Sequence, residues 1–159
     1  MTYFNLGFFV SLITAFIASG SFAVIFQTNK RHLLKVCIAG LLSYFVFYTV
    51  KFFIGPLFLA AFISTFAVSL YGEISARTSH APALIFIVAG LIPTVPGGDS
   101  YYSMKYLIMG DSQNALKYLG NTGATAIGIA LGIVCCSVIF GIINDRLRQK
   151  KLKAKKTGH

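Results

Sequence analysis

The sequence predicts an all-α, polytopic integral membrane protein of about five transmembrane helices, the fourth interrupted by a Pro/Gly turn. Three observations carry that expectation. Of 159 residues, 56% are hydrophobic and 11% charged, a balance outside the usual range of water-soluble domains. The apolar residues fall in long uninterrupted runs, and a run of ~18 or more with few charges matches the hydrocarbon thickness a helix must cross. Seven of the fourteen Lys and Arg lie between Arg146 and Lys156, directly behind an apolar run, as expected of a last helix anchored at anionic headgroups.

The first span covers 4–26. It lacks the basic leading region of a secretory signal and its apolar run is longer than such signals carry, so it is expected to be retained. The polar stretch 27–32 ends it, and the second span follows over 33–50, closed by Lys51. The third covers 52–71, with Gly55-Pro56 near its start, where a missing N–H costs a helix little. A polar break over 72–80 separates it from the fourth span, 82–109, with Ser79 ahead of Pro82 as the start signal. The apolar run 83–92 is too short to cross a bilayer before the Pro/Gly interruption at 93–98. The last span, 120–143, is rich in Gly and Ala, as helix contacts in lipid require. One transmembrane domain thus fills 1–145, and a basic cytoplasmic tail fills 146–159.

Charge placement tests this count. With five spans and the N-terminus outside, the cytoplasmic side holds Lys30, Arg31, Lys35, Arg77 and the tail, and the outside keeps Lys51, Lys105 and Lys117. Five spans obey the positive-inside bias better than four. The net charge of +10, gathered behind a span, points to the lipid bilayer, and no nucleic-acid partner is expected.

The interrupted fourth helix is the strongest local signal. Proline and glycine free backbone groups that hydrocarbon cannot satisfy, so such a break survives only against protein or water. Two readings of Pro93, Pro96, Gly97 and Asp99 stand. One is an extracellular turn with Asp99 as an ordinary helix cap. The other is a break lining a transport path, with Asp99 capping a second half-helix from Ser100 to Met109 and serving as a proton-coupling group.

Glu73 and Arg77, four apart, read as a surface ion pair, or Glu73 as a second proton-coupling carboxylate. Asn121 and Thr125 share a helix face, as interhelical glue or as contacts to a polar substrate. Tyr101, Tyr102, Tyr106 and Tyr118 read as an interfacial belt, with substrate stacking as the alternative, and Tyr101 is counted among the substrate-path candidates. The cysteines Cys37, Cys135 and Cys136 are read as small core residues. No nucleophile–base pair, phosphate loop or metal-ligand spacing is visible in the sequence, so neither an enzyme, a metal nor a cofactor is expected.

The segment Gly90-Leu91-Ile92-Pro93-Thr94-Val95-Pro96-Gly97, followed by Tyr101 and Met104, resembles the small-subunit or C-terminal half of the threonine/serine exporter family. Gly110-Asp111, Asn121 and the basic terminus extend the resemblance over nearly the whole chain. It implies export of small hydrophilic metabolites across the cytoplasmic membrane, drawing on the proton gradient: threonine- and serine-like amino acids or, in some members, dicarboxylates. It also implies a partner, a larger membrane subunit with a hydrolase-like N-terminal region. Gly98-Asp99 departs from the family pattern, and a carboxylate there favours an ammonium group over a dicarboxylate. Two rival readings are a non-transporting subunit that stabilises the larger partner and a self-sufficient homo-oligomeric exporter or channel.

Overall fold

A computed structural model describes residues 6–157 of the chain, with side chains through residue 146. Phe4 and Asn5, where the expected first span begins, lie outside the described residues, as do Gly158 and His159 of the tail. Among the described residues all regular structure is helical: α1 (Leu6–Ile25), α2 (Lys30–Phe53), α3 (Leu57–Ser79), α4 (Ala83–Leu91), a 3-10 turn (Ile92–Thr94), α5 (Gly97–Ile108) and α6 (Ser112–Thr157).

Helices α1, α2, α3 and α6 are each long and apolar enough to cross a membrane, and α4 with α5 forms a fifth candidate span bent by 49° at the break. The α2–α3 turn sits at Gly55-Pro56, where Gly55 takes φ +92°, a backbone conformation that glycine reaches without a Cβ penalty. Helix α2 therefore runs past Lys51 to Phe53. Helix α3 also outlasts expectation. The polar stretch 72–79 is helical rather than a loop, and the chain turns only at His80, in the left-handed region. Gly72, Ser75 and Ala76 are buried, so these residues continue a packed helix face, with Gly72 admitting Ile87 of α4 against its backbone. Ser79 accordingly ends α3, where it accepts a hydrogen bond from Lys35 Nζ at 2.6 Å, and Pro82 occupies the N-cap position of α4.

Helix α6 begins at Ser112, well before the expected start at 120, and its backbone stays helical through the basic tail to Thr157. The early start has a local cause. Asp111 accepts hydrogen bonds from the Asn114 amide at 3.1 Å and from Asn114 Nδ2 at 2.7 Å, which caps the first turn. These bonds, the side-chain one foremost, hold the Asp111 carboxyl below its ordinary range.

The core is built on α3, which packs against α2, α4 and α6. Its partner α6 lies parallel to it: Gly128 sits at Phe58, Gly132 at Phe62 and Thr65, and Arg77 beneath Phe140. A parallel pair requires the chain to return across the bundle between the two helices, and α4 with α5 makes that return. The α1–α2 turn, the α3–α4 turn and the C-terminal part of α6 consequently share one end, which carries Lys30, Arg31, Lys35, Arg77 and Arg146. Helix α6 starts sixteen residues before Gly128, so about four turns, or ~24 Å at ~1.5 Å per residue, overhang the start of α3. Helix α5 packs on this overhang.

Candidate functional site

The break between α4 and α5 follows from two prolines that cannot donate. Pro93 and Pro96 deny their N–H groups to the carbonyls of Ala89 and Ile92. The Val95 amide turns to the Ile92 carbonyl at 3.4 Å, and the Leu91 carbonyl accepts the Thr94 hydroxyl instead, at 2.9 Å. Thr94 is thereby rotated into the core, where it is buried.

There it meets two other hydroxyls. Ser43 Oγ of α2 lies 3.2 Å from Thr94 Oγ1 and 3.3 Å from Ser64 Oγ of α3, while Ser64 Oγ donates to the Ser43 carbonyl at 2.7 Å. All three residues are buried. Ser43 stands ten residues before the end of α2 and Ser64 seven after the start of α3, which puts the cluster ~10–15 Å inside those helix ends. The break therefore lies within the length of the spanning helices. It is not a turn at their ends.

A crevice of about 230 Å³ opens beside it, lined by Ser11, Thr14, Ala15 and Ala18 of α1, Tyr44 of α2 and Pro93. The Thr14 hydroxyl donates to the Ser11 carbonyl at 2.9 Å; the Ser11 and Tyr44 hydroxyls have no hydrogen-bond partner among the described residues. The groove between α5 and α6 is larger, about 560 Å³. Its walls are mainly apolar; the Ser100 and Thr122 hydroxyls there serve backbone carbonyls four residues back, and those of Ser103 and Ser112 have no hydrogen-bond partner among the described residues. The smaller crevice is the better site for a polar solute, because its free hydroxyls adjoin the break.

The sequence-predicted residues divide between these places. Pro93 lines the crevice, and Pro96 precedes α5 as its N-cap residue. Gly97 begins α5, so Asp99 is not the cap: its carboxylate stands in the first turn, favourably placed against the helix dipole. Tyr101 is exposed and leans on Tyr102 rather than on the crevice. Tyr106 stacks on Tyr118 at 5.6 Å and 8°. Asn121 belongs to α6 beneath α5, and the Thr125 hydroxyl is spent on the Asn121 carbonyl at 2.9 Å. Glu73 and Arg77 make no ion pair; the guanidinium lies 4.9 Å from the Phe140 ring centroid instead, because the parallel α6 offers an aromatic face where an exposed ion pair would contribute little. Glu73 is half-buried in α3, within electrostatic reach of Cys136, and its position six residues before Ser79 puts it ~9 Å inside the helix end.

Sequence reasoning missed Ser11, Thr14, Ser43, Tyr44, Ser64 and Thr94. The available signal was the recurrence of Ser and Thr inside apolar runs at matching depth on consecutive, alternately directed helices. No group of three or more His, Cys, Asp or Glu able to hold a metal occurs among the described residues.

No curated protein and no solved structure matches the chain. Residues 11–139, which contain every element of the break and the crevice, match the family described as Threonine/Serine exporter, ThrE. The chain is a multi-pass membrane protein that belongs to this transporter family.

Proposed function

We propose that this chain is one half of a two-component secondary exporter that moves threonine- or serine-like amino acids out across the cytoplasmic membrane. The single observation that carries the reading is the break at Pro93 to Gly97, which brings backbone and hydroxyl groups together inside the span length, as alternating-access transporters do at their substrate sites. The larger subunit of the same family supplies the other half. The gathering of basic residues at one end of the bundle supports a cytoplasmic location for that end and an outside N-terminus. The activity is transport, without an enzymatic step.

Proton coupling falls to Glu73 before Asp99. Glu73 is half-buried inside α3 with no ion partner among the described residues, and carboxylates at such depth are costly unless they serve a function. Asp99 is already accommodated at a helix N-terminus.

The test is efflux of preloaded labelled threonine, serine and succinate from cells lacking this chain, complemented with it alone or with the larger subunit. Restoration by the pair alone is the expected result, with the amino acids favoured over succinate. Equal efflux in all strains sinks the exporter reading, and restoration by this chain alone sinks the two-component one.

A further inference from the structure

We propose that the apolar groove of the α5–α6 hairpin is the docking site for a helix of the larger subunit, and that Lys105 receives a carboxylate of that helix. The inference rests on the two-component reading and adds where the two halves join. It starts from depth. Helix α1 has 20 residues, ~30 Å at ~1.5 Å per residue, which equals the hydrocarbon thickness. Its first turn packs on the last two turns of α2, with the Phe8 and Tyr48 ring centroids 4.8 Å apart, and α2 turns into α3 at Gly55-Pro56. The three helices therefore end together on the side away from the basic residues. Gly128 of α6 stands level with Phe58, at the start of α3, so Leu119 and Leu116 lie ~14 and ~18 Å further out. The headgroup layer accounts for only ~5–8 Å on each side.

Lipid tails thus do not reach this hairpin, yet it exposes Met104, Leu107, Ile108, Met109, Leu116 and Leu119, each by more than half. An apolar patch of this kind in contact with water marks an interface. Its shape fits a helix. The groove of about 560 Å³ runs between α5 and α6, with Met104, Leu107, Leu116 and Leu119 along it and the free hydroxyls of Ser103 and Ser112 beside them, an arrangement into which the apolar face of an amphipathic helix seats. Charge selects the partner. Met104 also borders a hollow of about 270 Å³ lined by Lys105. Lys105 has no carboxylate partner among the described residues; its ammonium lies 5.9 Å from the Tyr102 ring centroid, while Asp111 is engaged by Asn114. Two copies inserted with the same orientation are related by an axis along the membrane normal, which sets Lys105 against Lys105. Like charges brought together exclude a partner, and here they exclude a second copy. A different chain that presents a carboxylate at this height is complementary.

Two measurements on the full chain, expressed alone or with the larger subunit, test this. In the first, a background free of the native cysteines carries Leu107→Cys in the groove or Lys117→Cys outside both hollows. A membrane-impermeant maleimide on right-side-out vesicles is expected to label both when the chain is alone. The larger subunit is expected to slow labelling of Leu107→Cys about tenfold, as occupancy of nine copies in ten would, and to leave Lys117→Cys unchanged. In the second, Lys105→Glu is expected to lower the amount of larger subunit that copurifies about tenfold, with Lys105→Arg at the wild-type level, since reversal opposes like charges and Arg keeps the pair. Absence of labelling at Leu107→Cys in the chain alone, which lipid or a second copy would cause, overturns the inference, and so does labelling that the larger subunit leaves unchanged. Copurification indifferent to Lys105→Glu overturns the carboxylate contact. Protection without serine or threonine export by the pair would keep the docking site and remove the exporter reading; export by the pair without protection would do the reverse.

Discussion

The contact between α3 and α6 and the contact between α2 and the turn after α4 both rely on small or hydroxylated residues, and they use them in opposite ways. Along α3–α6, Gly128 and Gly132 let backbones touch: a Cβ on Gly128 would stand 2.6 Å from the Phe58 carbonyl, and one on Gly132 would stand 2.9 Å from the Phe62 carbonyl. Nothing is left between the helices for a solute. Where α1 and α2 meet the turn, prolines spoil the regular backbone, the Thr94 hydroxyl takes the place of a diverted amide at the Leu91 carbonyl, and a crevice remains. Lipid gives helices no hydrophobic drive to associate, so close packing must hold the first region. The second is held by a few hydrogen bonds among buried hydroxyls. One region reads as frame and the other as moving part.

The sharpest way to break this contrast is to wedge the frame. Gly132→Val is expected to destabilise the protein by ~1–3 kcal/mol, as overpacking does, and to lower membrane abundance and the melting temperature in detergent. A variant with normal melting would show that α3 and α6 are free to part. Next in size, Thr94→Val is expected to cost ~1 kcal/mol of stability, a typical net hydrogen bond, while changing export more than melting. If melting falls and export per molecule does not, the cluster is frame as well.

Glu73→Gln tests the proposed proton coupling. Exchange of labelled for unlabelled serine is expected to persist while net export loses its response to an imposed pH gradient; an intact response would clear Glu73 of that role. Smallest is Asp111→Asn in the α5–α6 turn. The Asp111 carboxyl is held below its ordinary range by Asn114. Its cap is therefore fully present above the unfolded value of about 4 and lost only as pH falls through the lower folded value. At pH 7 the variant is expected to raise hydrogen exchange at the Asn114 amide without altering transport.

Much of this architecture was legible beforehand. Spans, the break at Pro93 to Gly97 and the side bearing the basic residues followed from hydropathy, proline chemistry and charge placement, because a bilayer imposes them on any sequence. Helix ends were less legible. Gly72 to Ser79 looked like a loop because its polarity was visible and its burial was not; Asp111 was passed over as a cap because the run it opens, 112–119, is not apolar enough to suggest a span. Of the predicted site residues, Pro93 alone lines the crevice. Asp99, Tyr101 and Asn121 follow the break in sequence but leave with α5 and α6.

The sequence by itself determined that the chain crosses a membrane, where its fourth helix must fail, and which ends gather positive charge. These are properties of single segments against a solvent. Only the tertiary structure decided that Thr94 meets Ser43 and Ser64, that Glu73 lacks Arg77 as a partner, and that α3 and α6 run parallel. Each of those depends on which faces of separate helices come together, and a hydroxyl on a helix has no role until the neighbouring helix fixes what it touches.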